Sequence, residues 1–222
     1  MSDWRSNIET QIFKESYNGI IICGLNWGGT ESEDDNYYKQ EEKMHFSHSM
    51  YNCKFRERLL KWFEIWGYKF ETTDENVSSL EKSILYTNWL NTKSKNLNGI
   101  DIFSELKNYP DKIINTINAL SPRIIIFLSK QLIFALNEPT ILNQLKDTLG
   151  KNKSLEEVSL QKQFTQNYKR FKVYKQEFDN CTIISLPHPS GTRGLKNEYI
   201  QLFKEDMSII FTNYKIINRL NY

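Results

Sequence analysis

The stretch GIIICGL, residues 19–25, decides how the fold is read. Three consecutive isoleucines cannot alternate between a wet and a dry face. A strand built from them is covered on both sides, as strands of parallel sheets are. Two further runs share this character, residues 123–129 (RIIIFLS) and 181–186 (CTIISL), and residues 83–89 (SILYTNW) form a weaker fourth. Helical patterns lie between and after them. Residues 55–66 (FRERLLKWFEIW) place apolar side chains at 55, 59, 60, 62, 63 and 66. Residues 110–120 open on a proline suited to a first helical turn, and residues 129–136 and 195–220 also read as helical. This alternation predicts a doubly wound sheet with helices on both faces. Ligands of such folds bind beyond the carboxyl ends of the strands, so chemistry is sought in the residues that follow each strand.

The 222 residues suffice for one domain, residues 1–222, but not for two ordinary ones. Apolar residues make up 39% and charged residues 25%, which excludes a disordered chain. Mean hydropathy is −0.58, and no run approaches the roughly 18 apolar residues of a membrane span. Residues 1–17 (MSDWRSNIETQIFKESY) lack the layout of a signal peptide, so the cytoplasm is the expected compartment and no membrane partner is expected. Cys23, Cys53 and Cys181 form no CxxC pair, which argues against a disulfide framework and a cysteine-bound metal. Twenty-nine basic residues against 27 acidic ones give no strong basic excess, leaving room only for a local patch.

That patch is sought in residues 150–175, where Lys151, Lys153, Lys162, Lys169, Arg170, Lys172 and Lys175 face only Glu156 and Glu157. Phe164, Tyr168, Phe171 and Tyr174 interleave with them. Basic residues with aromatics can track a nucleic-acid backbone. The plainer reading of residues 150–180 is a solvated helix plus a short hairpin strand, with the aromatics packed inward.

Three segments carry candidate chemistry. After the first run comes Gly24-Leu25-Asn26-Trp27-Gly28-Gly29-Thr30, a turn that admits close approach of a ligand. It has neither the GxGxxG spacing of a dinucleotide fingerprint nor a Walker lysine. After the last run comes Leu186-Pro187-His188-Pro189-Ser190-Gly191-Thr192-Arg193-Gly194, in which two prolines stiffen the backbone around His188. The weaker run ends in Tyr86-Thr87-Asn88-Trp89, whose carboxamide belongs at the same crevice.

Taken together these segments resemble the uracil-DNA glycosylase superfamily. GLNWGG is similar to the first motif of the branch that holds the mismatch-specific and single-strand-selective enzymes, and HPSGTRG to the second. YTN resembles the strand end that reads a pyrimidine, and Met44-His45-Phe46-Ser47 the segment that supplies a stacking aromatic. The likeness runs from about residue 17 to the C-terminus, with residues 150–170 lacking a counterpart. Trp27 stands where the family usually has proline, and an acidic run, residues 31–35, follows.

The resemblance implies a three-layer α/β/α sandwich around a central four-stranded parallel sheet. It implies a monofunctional DNA glycosylase that hydrolyses the N-glycosidic bond of a flipped pyrimidine, without metal or other cofactor. Asn26 falls on the asparagine that positions water, and His188 on the histidine that donates to the pyrimidine O2 as charge builds there. Gly24, Trp27 and Gly28 would line the base pocket, Phe46 would stack on the base, and Asn88 would read its Watson–Crick edge. Ser190 and Gly191 would hold a phosphate. Thr192 or Arg193 lies where the family inserts a wedge, and Lys169, Arg170 and Lys172 would touch the backbone of single- or double-stranded DNA. A monomer is expected. Gly28 falls where the strictly uracil-specific branch carries a tyrosine that blocks C5, so the pocket is expected to be open to C5-modified pyrimidines. That opening suits repair of uracil-type bases, or antiviral excision of hydroxymethylated or glucosylated phage cytosine.

Three rivals remain: a non-catalytic DNA or nucleotide binder on the same fold, a serine hydrolase using Ser190 or Ser129 with His188, and a metal site from His45, His48 and Cys53.

Overall fold

The computed structural model describes residues 5, 8–25, 43–49, 53–71, 77–90, 101–163, 168–190 and 192–220. In chain order the elements are β1 (Ile20–Gly24), α1 (Lys54–Ile65), α2 (Ser79–Lys82), β2 (Ile84–Asn88), α3 (Ile102–Asn108), α4 (Asp111–Leu120), β3 (Ile124–Phe127), α5 (Lys130–Leu136), α6 (Pro139–Leu149), β4 (Asn152–Glu156), β5 (Tyr174–Phe178), β6 (Thr182–Ser185), α7 (Asn197–Gln201) and α8 (Lys204–Asn218). The four apolar runs become β1, β2, β3 and β6, which pair in parallel as one block.

The sheet has six strands rather than the expected four, in the order β2-β1-β3-β6-β5-β4. The two extra strands form an antiparallel hairpin added beside β6. They come from the segment that reads in sequence as a solvated helix plus a short hairpin strand with aromatics packed inward. The hairpin stands, as does the inward packing of Tyr168, Phe171 and Tyr174, while among the described residues the helical part is a short 3-10 turn at Val158–Gln161. β5 alternates half-buried Lys175 and Glu177 with buried Gln176 and Phe178, the pattern of a half-covered strand. β4, Asn-Lys-Ser-Leu-Glu, lacks β-branched residues altogether and is held by its partner rather than by propensity. The long helix expected over residues 195–220 is two helices, α7 and α8, separated at Leu202–Phe203. Pro110 caps α4 from just outside its first turn.

The isoleucine runs explain the layers. Ile20, Ile22, Ile124, Ile126 and Ile184 share a core with Leu59, Trp62 and Phe63 of α1, Tyr199 of α7 and Met207 and Phe211 of α8. Their neighbours Ile21, Cys23, Ile125, Phe127 and Ile183 point the other way, into a second core with Leu106, Ile113, Leu132 and Leu145 of α3 to α6. Each fully buried aliphatic side chain contributes about 1.5–3 kcal/mol, so the sheet is clamped between two apolar layers, an α/β/α sandwich. Among the described residues no helix is long and apolar enough to cross a membrane.

Candidate active site at the carboxyl edge of the sheet

Register places the candidate segments along one edge. Gly24 is paired with Asn88, and Phe127 with Ser185. Beyond the strands the backbone still connects: Trp89 N–H donates to the Gly24 carbonyl at 3.0 Å, Leu128 N–H to Cys23 at 3.0 Å and Leu186 N–H to Phe127 at 2.8 Å. Pro187 and His188 therefore emerge at the edge where Gly24 and Asn88 end their strands. Asn26, Trp27, Gly28 and Gly191 lie outside the described residues, as do residues 31–35 and Phe164.

His188 is half-buried, with its ring centroid 5.3 Å from that of Phe55. Phe55 in turn lies 5.4 Å from the Tyr86 ring. One phenyl ring of α1 thus bridges the histidine after β6 and the β2 strand that ends in Asn88. Burial pushes the His188 imidazole down to about 4, so it is neutral at physiological pH. A neutral imidazole carries one N–H donor and one acceptor, the form needed to donate to a developing anion.

Asn88 is buried, and both ends of its amide are engaged. Its Nδ2 donates to Glu9 Oε1 at 2.8 Å, and its Oδ1 accepts from the Tyr86 hydroxyl at 3.1 Å. Gly24 makes room for this arrangement: a Cβ there would lie 2.2 Å from Asn88 Oδ1. Glu9 arrives from the N-terminal segment, where Ile8 bridges to Thr87 and Glu9 N–H donates to the Tyr86 carbonyl at 3.0 Å. Burial pushes the Glu9 carboxyl up, while the cations of Lys112, Arg56 and Lys43 and the Asn88 hydrogen bond pull it back.

Phe46 sits in the core under α1, edge-on to Phe63 at 5.9 Å, with the Arg56 guanidinium carbon 4.7 Å from its ring centroid. The aromatic beside His188 is Phe55, which the sequence shows only as one apolar position of a helical pattern.

The loop after β6 is held from outside. Arg58 of α1 donates to the Pro189 carbonyl at 2.7 Å and, through its other terminal nitrogen, to the Leu195 carbonyl. Exposed Ser190 lines an open groove of about 670 Å³ with Lys54, Arg58, Lys61 and Lys196, and with Glu57 and Glu198 opposing them. Arg193 is exposed and Thr192 half-buried.

The chain leaves β4 and enters β5 at this same edge, since Glu156 faces Lys175 and Tyr174 faces Ser185. Just before β5, Arg170 reaches the loop after β6: its Nη2 donates to the Arg193 carbonyl at 2.6 Å. That nitrogen lies 2.6 Å from where a Cβ on Gly194 would stand, at a positive φ of 77°. Lys169 is exposed, whereas Lys172 is paired with Glu157 at 2.7 Å. Lys153, Lys162 and Lys175 pair with Asp179, Asp206 and Glu177, so most of the basic excess read in sequence is neutralised locally.

One residue from each of two rival readings has another occupation. Ser129 caps α5 by accepting from Gln131 N–H at 3.3 Å. His45 Nδ1 lies 3.0 Å from Ser47 Oγ, whose hydroxyl donates to Glu81 Oε1 at 2.5 Å. Among the described residues no three His, Cys, Asp or Glu side chains converge as a metal site would require. No protein-family model matches the chain, and no curated protein matches it.

Proposed function

We propose that the chain is a monofunctional DNA glycosylase that hydrolyses the N-glycosidic bond of a flipped uracil-type or C5-modified pyrimidine and leaves an abasic site, as the uracil-DNA glycosylase superfamily that it resembles does. One observation carries the reading: Phe55 packs against both His188 and Tyr86, so the histidine and the strand that ends in Asn88 flank one aromatic ring at the carboxyl edge.

In this reading the base leaves as an anion and the sugar becomes oxocarbenium-like. Neutral His188 donates a hydrogen bond to the pyrimidine O2 as its charge grows, which suits its depressed proton affinity. Asn88 meets the Watson–Crick edge. Asn26, one residue beyond Leu25, positions the attacking water. Phe55, beside the histidine, is better situated than Phe46 to contact the base. Departure of the base supplies most of the driving force, because an asparagine is a poor base.

The test is a panel of matched oligonucleotides carrying uracil, 5-hydroxymethyluracil, 5-hydroxymethylcytosine or glucosylated cytosine, followed by alkaline cleavage of abasic sites. Release of at least one base, reduced on the order of a hundredfold in His188→Ala, supports the proposal. Absence of release across the panel, or near-normal turnover by that variant, overturns it.

A further inference from the structure

We propose that the outer face of α8 docks on the same face of a second copy of the chain. The two helices run antiparallel across a twofold axis, with Ile209 and Ile216 at the centre and a Glu205–Arg219 contact at each end. This surface uses none of the residues of the carboxyl-edge site.

α8 runs for 15 residues, or about 22 Å. One face is spent on the core, where Met207, Ile210, Phe211 and Tyr214 are buried. The opposite face is not polar throughout, as the outside of a surface helix usually is. Ile209, Ile216 and Ile217 are 54%, 71% and 66% exposed, three of the eight large apolar side chains left exposed among the described residues. Glu205, Thr212 and Arg219 are exposed as well.

Spacing gathers these residues into a line. Glu205, Ile209, Thr212, Ile216 and Arg219 follow one another in steps of four, three, four and three. That repeat keeps one row of side chains turned toward a partner helix. Arg219 closes the row at the C-cap, and Ile217 flanks it. The middle is apolar except for one threonine, and the two ends carry opposite charge.

This order identifies the occupant. Turned about an axis at Thr212, the row maps onto itself. Glu205 meets the partner's Arg219, Ile209 meets the partner's Ile216, and the two threonines meet each other. Each end contact then occurs twice, as in any isologous pair. A parallel pair would instead set glutamate against glutamate and arginine against arginine. The neighbouring carboxylate, Asp206, is already paired with Lys162, which leaves Glu205 as the acid for this contact. A single row of this length falls short of the roughly 1,200 Å² of a standard interface, so association is weak and the expected monomer is its dilute form.

The experiment is sedimentation equilibrium of the full chain from about 10 μM to about 1 mM, a range that reads weak association. It compares the parent with Ile216→Glu, Glu205→Arg and Arg219→Glu, with far-ultraviolet circular dichroism to check folding. The parent is expected to show a monomer–dimer equilibrium. Ile216→Glu should weaken it about tenfold or more, through lost apolar burial. Each charge reversal should weaken it by roughly three- to tenfold, because like charges then face each other at both ends. An equal mixture of Glu205→Arg and Arg219→Glu restores opposite charges at both ends, and should associate within about threefold of the parent. Both reversals also oppose the helix dipole. A loss caused by fraying of α8 would persist in the mixture, and that outcome overturns the proposal. A parent that stays monomeric throughout the range overturns it too, as does a dimer that Ile216→Glu leaves intact. Charge reversals without effect point to a parallel pair or another surface and likewise overturn it. If Ile216→Glu does not fold, the combined Ile209→Ser and Ile216→Ser variant decides in its place.

Discussion

Arg58 and Pro189 are 131 residues apart in sequence, yet the Arg58 guanidinium donates to the Pro189 carbonyl at 2.7 Å. The same side chain donates to the Leu195 carbonyl, so one arginine of α1 pins both ends of the loop that carries Ser190, Thr192 and Arg193. The planar fork of arginine suits two separate acceptors, and lysine lacks that geometry. Arg58→Ala is expected to lower stability by about 1–3 kcal/mol, the cost of leaving partly buried carbonyls unpaired. Arg58→Lys should recover less than half of that loss in chemical denaturation. A neutral result for Arg58→Ala would show that the loop holds itself.

His188 ties stability to pH. The unfolded chain protonates this histidine below about 6.5, whereas the folded chain resists until about 4. In that window the unfolded state binds more protons, so stability falls as pH is lowered through it, by up to roughly 3 kcal/mol. The penalty is absent above the window and constant below it. His188→Gln removes it, so stability measured for the parent minus that of the variant should decrease between pH 7 and pH 4.5. Glu9, whose carboxyl is pushed up, contributes the opposite slope, but equally in both proteins. A difference that does not change with pH would mean that the imidazole is hydrated.

Salt dependence separates residues free to meet phosphate from those already committed. Lys172 is paired with Glu157, and Arg170 is bonded to the Arg193 carbonyl. Only Lys169 of this trio is exposed and without such a bond among the described residues, so neutralising all three should change the slope of log K against log salt by about one. Lys169→Gln alone should match the triple variant in DNA-binding titrations. A change near three would mean that both internal bonds break on binding.

Gly24→Ala forces a conflict at the strand end. The new Cβ would stand 2.2 Å from Asn88 Oδ1 and 3.1 Å from the Tyr86 hydroxyl. The amide must move, so release of the preferred base should fall at least tenfold while the far-ultraviolet circular dichroism stays the same. Unimpaired release would place base reading elsewhere.

Gly28 bears on substrate range. If its lack of a side chain leaves C5 open, the parent should release 5-hydroxymethyluracil as well as uracil. Gly28→Tyr should then lose the substituted base and keep any uracil activity. A parent that accepts only unsubstituted uracil would show that other side chains fill the space.

How much of this was readable in the linear chain depends on the range of the interactions. The parallel block announces itself because Ile20–Ile22, Ile124–Ile126 and Ile183–Ile184 must be covered on both faces wherever they fold. β4 and β5 do not, because half-covered strands with lysine and glutamate look like any polar segment. His188 and Asn88 stand out through their neighbours in sequence. Glu9, Phe55 and Arg58 do not, since each acts through a partner far along the chain. The Glu9–Asn88 bond spans 79 residues, and nothing in the residues around Glu9 points to a strand end.

The two margins of the sheet have a consequence for association. At one, the main chain of residues 8–10 lies along β2 through the Ile8–Thr87 bridge. At the other, β4 is interrupted in register between Asn152 and Ser154 and carries Lys153, paired with Asp179. A bulged strand bearing charge is a poor template for a strand from another molecule. Growth of the sheet into a continuous intermolecular ribbon is thus opposed at both margins, and crowding of the chain at high concentration need not bring fibre formation with it.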